Sequence, residues 1–172
     1  MTLRAAPRKS MIIDACVLID FIKAERAMLE LVAKHIGSLH VIGPVVAEVR
    51  EIDDEIELVN LGLIILEPDI QDAFTAAERP SPLSFVDWLC LLTAKRYSLI
   101  CVTNDKNLRK FCEQEGIPLL WGLELVTELH KIGGITSEEA EDFIHTVREL
   151  NPKHITDDIV SLFREIIRRQ DH

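Results

Sequence analysis

The chain lacks the long apolar runs and the aromatic content that mark several protein classes. Hydrophobic residues make up 48% of its 172 residues but aromatic residues only 5%, so we expect a core built from aliphatic side chains. No apolar run reaches the roughly 18 residues that span a membrane. The run from Met11 to Phe21 follows a polar, basic lead-in over residues 1–9, but Asp14 and Asp20 interrupt it. We therefore predict one domain with neither a membrane segment nor a signal peptide.

Paired cysteine and histidine motifs are also missing. Four cysteines occur singly in apolar surroundings, and none has the spacing of a metal or redox motif. They are Cys16, Cys90, Cys101 and Cys112. We interpret them as reduced, buried thiols of a cytoplasmic protein. The six histidines are scattered, and no two of them have the spacing of a metal site.

Positive charge is scarce, but its distribution is uneven. The chain has 29 acidic and 19 basic residues and a net charge of −10, which taken alone argues against a nucleic-acid partner. Residues 51–79 carry nine acids and one base, whereas residues 95–116 carry five bases and three acids. The acidic excess is therefore concentrated away from the segment 95–116, and the objection to a nucleic-acid partner weakens.

Short apolar runs of strand type alternate with helical segments along most of the chain. The predicted strands cover residues 11–13, 39–42, 63–66, 99–102 and 118–120. A helix over residues 26–35 precedes the second strand, and Gly37 is predicted to end it. This alternation indicates βαβ units around a parallel sheet. Gly133-Gly134 is the best candidate boundary. Two amphipathic helices follow it, and they begin at the capping residues Thr136 and Thr156. Their inward faces are predicted to consist of Ala140, Phe143, Ile144 and Val147 in the first helix and of Ile159, Leu162, Phe163 and Ile166 in the second.

Four acidic residues stand in unusual places in this pattern. Asp14 and Asp105 each follow a predicted strand, and the carboxyl ends of parallel strands are where open α/β sheets bind their ligands. Glu48 lies inside an apolar run that begins a helix at Gly43-Pro44. Asp87 lies on an apolar helix, on one stripe with cysteine, leucine and alanine side chains. A carboxylate on such a stripe needs a partner, because burying an unpaired charge is heavily penalised.

Each acid also has a purely local interpretation. Asp14 and Asp105 can cap the helices that follow them, the second of which is predicted over residues 106–115. Glu48 can be an acid of a first helical turn, where the helix dipole favours it. Asp87 fits a capping box with Ser84. Helix capping does not, however, require acids at all four places in this order.

The order and spacing of these acids resemble the PIN domain nuclease family. The resemblance covers residues 11–131 and includes Val102, Thr103, the phrase from Asn104 to Arg109 and the Gly-Ile-Pro at 116–118. It implies a three-layer α/β/α fold around a mostly parallel central sheet. We accordingly predict a nuclease domain over residues 1–131 and a two-helix extension over residues 132–172. The extension either packs on the domain or mediates dimerisation.

The resemblance also implies a chemistry. Asp14, Glu48, Asp87 and Asp105 would surround Mg²⁺ or Mn²⁺, since hard cations prefer oxygen ligands, and the metal would serve hydrolysis of RNA phosphodiester bonds. Supporting and substrate-binding roles fall to neighbouring residues. Thr103 and Asn107 would support the acids, and Lys106, Arg109 and Lys110 are candidates for phosphate contacts, although a solvated helix face is the favoured interpretation of these three.

One position departs from the family pattern. Relatives often have Asn or Ser two residues after the first aspartate, where this chain has Cys16, a poorer hydrogen-bond partner. Many small relatives are toxins that an antitoxin protein blocks, and relatives that cut structured DNA are much larger. The resemblance therefore implies an RNA substrate and a small antitoxin partner, and we also expect a homodimer. The alternative is a PIN-fold binding or scaffold protein with little or no catalysis. A receiver-type phosphoacceptor is disfavoured, because Met11-Ile12-Ile13 supplies no acidic pair before Asp14.

Overall fold

The computed structural model describes residues 7–80 and 82–172, so most of the predicted lead-in lies outside it. These residues form five strands and ten helices. The strands are β1 (Lys9–Ile13), β2 (Gly37–Ile42), β3 (Ile64–Leu66), β4 (Ile100–Val102) and β5 (Leu119–Leu120). The helices are α1 (Ala15–Glu25), α2 (Ala27–His35), α3 (Gly43–Glu48), α4 (Glu55–Asn60), α5 (Ile70–Glu78), α6 (Phe85–Tyr97), α7 (Lys106–Gln114), α8 (Gly122–Lys131), α9 (Ser137–Leu150) and α10 (Asp157–Gln170).

The five strands form one parallel sheet in the order β3-β2-β1-β4-β5. Helices flank this sheet, which confirms the predicted three-layer α/β/α architecture. The chain runs outward from β1 to β3 and then returns to the other side of β1 with β4. Neighbouring strands β1 and β4 thus define the switch point of the topology, and a crevice forms outside their carboxyl ends.

The central strand is buried on both faces. Met11, Ile12 and Ile13 are fully buried, as expected for a parallel sheet that helices cover on each side. Gly37, predicted to end α2, instead begins β2 and pairs with Lys9. A Cβ atom at Gly37 would lie 1.9 Å from the Lys9 carbonyl oxygen, so the close approach of the two strands requires glycine here.

The two C-terminal helices pack on the rest of the chain. Helix α9 lies against α1, where the Phe21 and Phe143 rings meet edge to face with centroids 4.8 Å apart, and α10 lies against α8. The side chains predicted to face inward from α9 are all buried. In α10 the prediction was partly wrong: Leu162 is 55% exposed, and the buried residues are Val160, Phe163 and Ile167. The predicted boundary at residue 131 stays a prediction, since α9 and α10 belong to the same hydrophobic core.

One further expectation concerns residues 51–58, where the sequence predicts an acidic, mostly solvated helix. The acidic helix predicted from Glu51 begins only at Glu55, because the Asp54 carboxylate accepts the Ile56 N–H at 3.0 Å and caps the helix there. The preceding α3 is a helix of six residues that ends at Glu48. No helix in the described part of the chain is long and apolar enough to cross a membrane.

Candidate functional site

Asp14 lies at the carboxyl end of β1, in the crevice beside β4. Its side chain is only 3% exposed. One carboxylate oxygen, Oδ1, accepts the Val17 N–H at 2.9 Å and so caps α1. The other, Oδ2, accepts a hydrogen bond from the Thr103 hydroxyl. The capping interpretation therefore holds for Asp14, but it accounts for only one of the two oxygens.

Thr103 connects Asp14 to Asp105. While its hydroxyl donates to Asp14, the same oxygen accepts the Asp105 N–H at 3.0 Å. Asp105 itself caps α7, because its Oδ1 accepts the Leu108 N–H at 2.8 Å. Its side chain is half-buried. Thr103 thus fixes the relative position of the two strand ends that carry Asp14 and Asp105.

Asp87 and Glu48 are more accessible than the sequence indicated. Asp87 lies in the first turn of α6, half-buried, where its Oδ2 accepts the Ser84 N–H at 3.1 Å and completes a capping box. It was expected on a buried stripe, but the first turn of α6 extends beyond the core. Glu48 is exposed and is the last residue of α3, so the interpretation as a first-turn acid is wrong.

The four acids influence one another electrostatically. Burial raises the pKa of Asp14 from its ordinary 3.8 to about 7, although the Thr103 and Val17 hydrogen bonds lower it, and the charges of Asp87 and Asp105 add to the rise. Partial burial and the charge of Asp87 also raise the pKa of Glu48. These couplings link all four predicted acids in one cluster that carries only negative charge.

This cluster offers the oxygen ligands that Mg²⁺ and Mn²⁺ prefer, and a cation would relieve its repulsion. It is nevertheless not a closed ligand shell: no three histidine, cysteine, aspartate or glutamate side chains in residues 7–80 and 82–172 are grouped so as to hold a metal ion. The donor chemistry therefore fits a divalent cation. To hold a cation together with Asp14 and Asp105, the two accessible acids Asp87 and Glu48 would have to move or to act through water.

A polar network beside Asp14 has no counterpart in the predictions. Asp20 on α1 is 5% exposed, and its Oδ2 accepts from Asn151 Nδ2 at 3.0 Å; burial raises its pKa, and hydrogen bonds from Asn151 and Asn104 lower it. Asn151 Nδ2 also lies 3.4 Å from Cys16 Sγ. Burial, Asp14 and Asp20 raise the pKa of the Cys16 thiol to about 12, so it stays protonated. The only sequence signal of this network was that Asp20 interrupts an apolar run.

The basic residues predicted for substrate binding are not alike. Lys106 and Lys110 are exposed, and so is Asn107, which has no contact with the four acids in the described hydrogen bonds. Arg109 instead donates to the Thr103 carbonyl oxygen at 3.0 Å, and its guanidinium lies 4.0 Å from the centroid of the Trp121 ring. Arg109 is therefore partly engaged in supporting the loop that carries Asp105.

The cysteines follow the prediction in part. All four are free, and Cys90, Cys101 and Cys112 are buried, whereas Cys16 is half-buried beside Asn151. Cys112 and Cys90 lie beside Cys101, and their hydrogen bonds, with burial, raise the pKa of the Cys101 thiol. Their scattered positions in the sequence did not predict this contact.

The fold agrees with the family that the sequence matches. No curated protein and no solved structure matches the chain significantly. The family model of the PIN domain matches residues 11–114, which is more than half of the chain and includes Asp14, Glu48, Asp87 and Asp105. PIN domains are generally nucleases that use divalent metal ions and act on nucleic acids. The chain therefore belongs to the PIN domain family.

Proposed function

We propose that the protein is a divalent-metal-dependent ribonuclease. The observation that carries this proposal is the burial of Asp14, without a positively charged partner in the described residues, at the switch point of the sheet and beside two other carboxylates. Such an arrangement is unfavourable in a protein that needs Asp14 only as a helix cap. It becomes favourable when a cation neutralises the cluster.

The residues divide the work according to their contacts. Asp14, Asp87, Glu48 and Asp105 would hold Mg²⁺ or Mn²⁺, and the bound metal would activate a water and stabilise the anionic transition state. Thr103 would hold Asp14 and Asp105 in fixed relative positions through its two hydrogen bonds. Asp105 and Asn107 line the adjacent cleft, where they would contact the part of the RNA strand next to the four acids.

Thermal unfolding and RNA cleavage measured together test this function. Mn²⁺ at a hundred times its dissociation constant should stabilise the native chain by about 2.7 kcal/mol, which is a rise in midpoint of about 5 to 10 °C. The double variant Asp14→Asn, Asp87→Asn should lose this shift. It should also cleave a mixed single-stranded RNA pool at least about a thousand-fold more slowly, since several kcal/mol of transition-state stabilisation disappear.

Asp142→Asn is the matched control, because Asp142 is an exposed acid of α9 away from the cluster. It should retain both the Mn²⁺ shift and the cleavage. If Mn²⁺ shifts the unfolding midpoint of neither the native chain nor the control and the RNA stays intact, Asp14, Asp87 and Asp105 serve only as caps and the nuclease proposal is wrong.

The second candidate is a PIN-fold binding or scaffold protein with little catalysis. The observation that favours it is the open spacing of the acids, together with the use of three of them as helix caps. It predicts RNA binding without metal-dependent cleavage in the same assay.

Biological role and assembly belong to the proposal as well. We include a toxin role with a small antitoxin partner, a cytoplasmic location and a homodimer. The dimer draws support from α5, where Ile70 and Phe74 lie one turn apart and are 70% and 69% exposed.

A further inference from the structure

A cleft of about 870 Å³ borders Asp105. One wall is α7, and the opposite wall is the connector, which we define as residues 151–156 between α9 and α10. Its volume is in the range of pockets that bind small ligands or segments of larger ones. The C-terminal extension, which lies beyond the part matched by the family model, thus contributes directly to the surroundings of the acids.

The cleft is basic although the chain is acidic. Its lining contains four Lys or Arg residues and a histidine against two acids, in a chain whose net charge is −10. The basic residues are Lys106, Arg109, Lys110, Lys153 and His154. The two acids are Glu113 and Asp105, of which Asp105 belongs to the proposed metal cluster. A bound anion would therefore find a favourable potential here and an unfavourable one over most of the remaining surface.

The lysines of the cleft are not neutralised internally. Lys23 and Lys95 form ion pairs with Glu51 and Glu115, whereas no ion pair within residues 7–80 and 82–172 involves Lys106, Lys110 or Lys153. Three lysines from two separate segments of the chain thus share one cleft with their charges available.

The connector holds Lys153 in place. On one side of it, Asn151 donates to the buried Asp20 at 3.0 Å, and on the other side Ile155 is fully buried. Lys153 between them is exposed and lines the cleft. Because Asn151 and Ile155 anchor the connector two residues to either side of Lys153, we expect little ordering of its backbone on binding, and this limits the entropic cost.

A flat aromatic surface completes the cleft. Trp121 lines it, with the Arg109 guanidinium stacked 4.0 Å from the ring centroid. Proteins that bind single strands stack unpaired bases on aromatic rings and guanidinium planes while lysines contact the phosphates. The cleft offers both elements within reach of Asp105.

We propose that the connector forms the second wall of a binding cleft for single-stranded RNA, with Lys153 contacting a phosphate and Trp121 with Arg109 contacting a base. The proposal takes RNA as the substrate from the proposed function. It extends that function, because it makes the C-terminal extension part of the substrate site.

Binding, measured without cleavage, tests the proposal. In the full-length Asp14→Asn chain, fluorescence anisotropy of a labelled mixed-sequence 12-nucleotide RNA is titrated between 50 and 200 mM salt, with and without Lys153→Ala. Loss of one phosphate contact should weaken binding about 3- to 10-fold and reduce the salt slope by about 0.7. The control is Lys131→Ala, which is exposed and lies about 14 Å along α8 from Gly122, and it should change neither quantity.

The outcomes separate this proposal from the proposed function. If Lys153→Ala weakens RNA binding but the native chain cleaves no RNA with Mn²⁺, the cleft stands and the nuclease assignment is wrong. If the native chain cleaves RNA and Lys153→Ala matches Lys131→Ala, the cleft proposal is overturned. It is equally overturned if double-stranded RNA, or an acidic peptide in place of RNA, shows the stronger dependence on Lys153.

Discussion

Two aspartates of this chain are nearly equally buried but are treated very differently. Asp14, at the end of β1, is 3% exposed, and Asp72, on α5, is 8% exposed. Asp72 accepts two hydrogen bonds from the Arg96 guanidinium, at 2.7 and 2.9 Å. Asp14 accepts only from neutral donors, Val17 and Thr103, among the described residues. Asp72 is therefore neutralised by an ion pair with Arg96, whereas Asp14 is either negatively charged or protonated.

The difference distinguishes a carboxylate that an ion pair satisfies within the protein from one that has no positively charged partner among the described residues. The Asp72–Arg96 pair joins α5 to α6 and is complete without any ligand. Asp14 has further carboxylates as neighbours instead of a cation, so its charge must be balanced by a proton or by a bound metal. Asp20 is a third case: burial raises its pKa, while hydrogen bonds from the amides of Asn151 and Asn104 and the charges of His154 and Lys23 lower it.

The largest effect is expected when the charge of Asp14 alone is removed. In the folded chain its pKa is about 7, against an ordinary value of 3.8, so the folded state binds the proton more tightly than the unfolded state. This group should therefore lower the free energy of unfolding as pH rises from about 4 to 7, by up to about 4 kcal/mol for a shift of about three units. Asp14→Asn in EDTA should abolish that decline.

The measurement is urea unfolding at half-unit steps between pH 4.5 and 8. Asparagine keeps an oxygen for the Val17 N–H and an amide for the Thr103 oxygen, so the fold should persist. Asp142→Asn should retain the native pH dependence. An equal decline in the native and Asp14→Asn chains would mean that Asp14 is not held at a raised pKa.

The next test removes the neutralised acid. Asp72→Asn removes the carboxylate that accepts two hydrogen bonds from Arg96, so that Asp69, 3.5 Å away, is the remaining carboxylate beside the guanidinium. Because Arg96 is partly exposed, water can also replace part of the interaction. The midpoint of thermal unfolding should fall by about 5 °C. The Mn²⁺-induced rise should stay as in the native chain, since Asp72 belongs to no part of the acidic cluster. A loss of the Mn²⁺ response would show that the two regions are not independent.

The sequence predicted the fold and proposed the four acids as one site, but it did not predict which groups surround each carboxylate. Asp14 and Asp105 could be recognised because they follow apolar strands, and the parallel order of those strands brings their ends together. The exposure of Asp87 and Glu48 could not be predicted, because it depends on where α6 and α3 end relative to the core. The apolar pattern of α6 alone indicated a buried Asp87.

Long-range polar contacts were also beyond the sequence. Asn151 and Asp20 are 131 positions apart, and nothing in either segment indicates the other. The contact follows from the packing of α9 on α1, which depends on side-chain shape as much as on polarity. For the same reason Lys153 could not be assigned to the cleft, whereas the basic residues of α7 could be suggested because they follow Asp105 directly.

The smallest effect is expected from removing the Thr103 hydroxyl, which links Asp14 to Asp105. Thr103→Val preserves the shape of this fully buried side chain but removes the donor to Asp14. Since that hydrogen bond lowers the pKa of Asp14, its loss should raise the pKa further, so that more of Asp14 is protonated at pH 7. Mn²⁺ should then bind about tenfold more weakly at pH 7, and its stabilisation of the fold should be smaller by about 3 °C.

Raising the pH to 8.5 should restore most of this Mn²⁺ response, because deprotonation of Asp14 no longer depends on the missing donor. Thr93→Val is the matched control: Thr93 is also fully buried, and its hydroxyl has no hydrogen-bond partner in the described residues. It should bind Mn²⁺ like the native chain at both pH values. If both variants respond alike, Thr103 only fills space, and its hydrogen bond to Asp14 contributes nothing to Mn²⁺ binding.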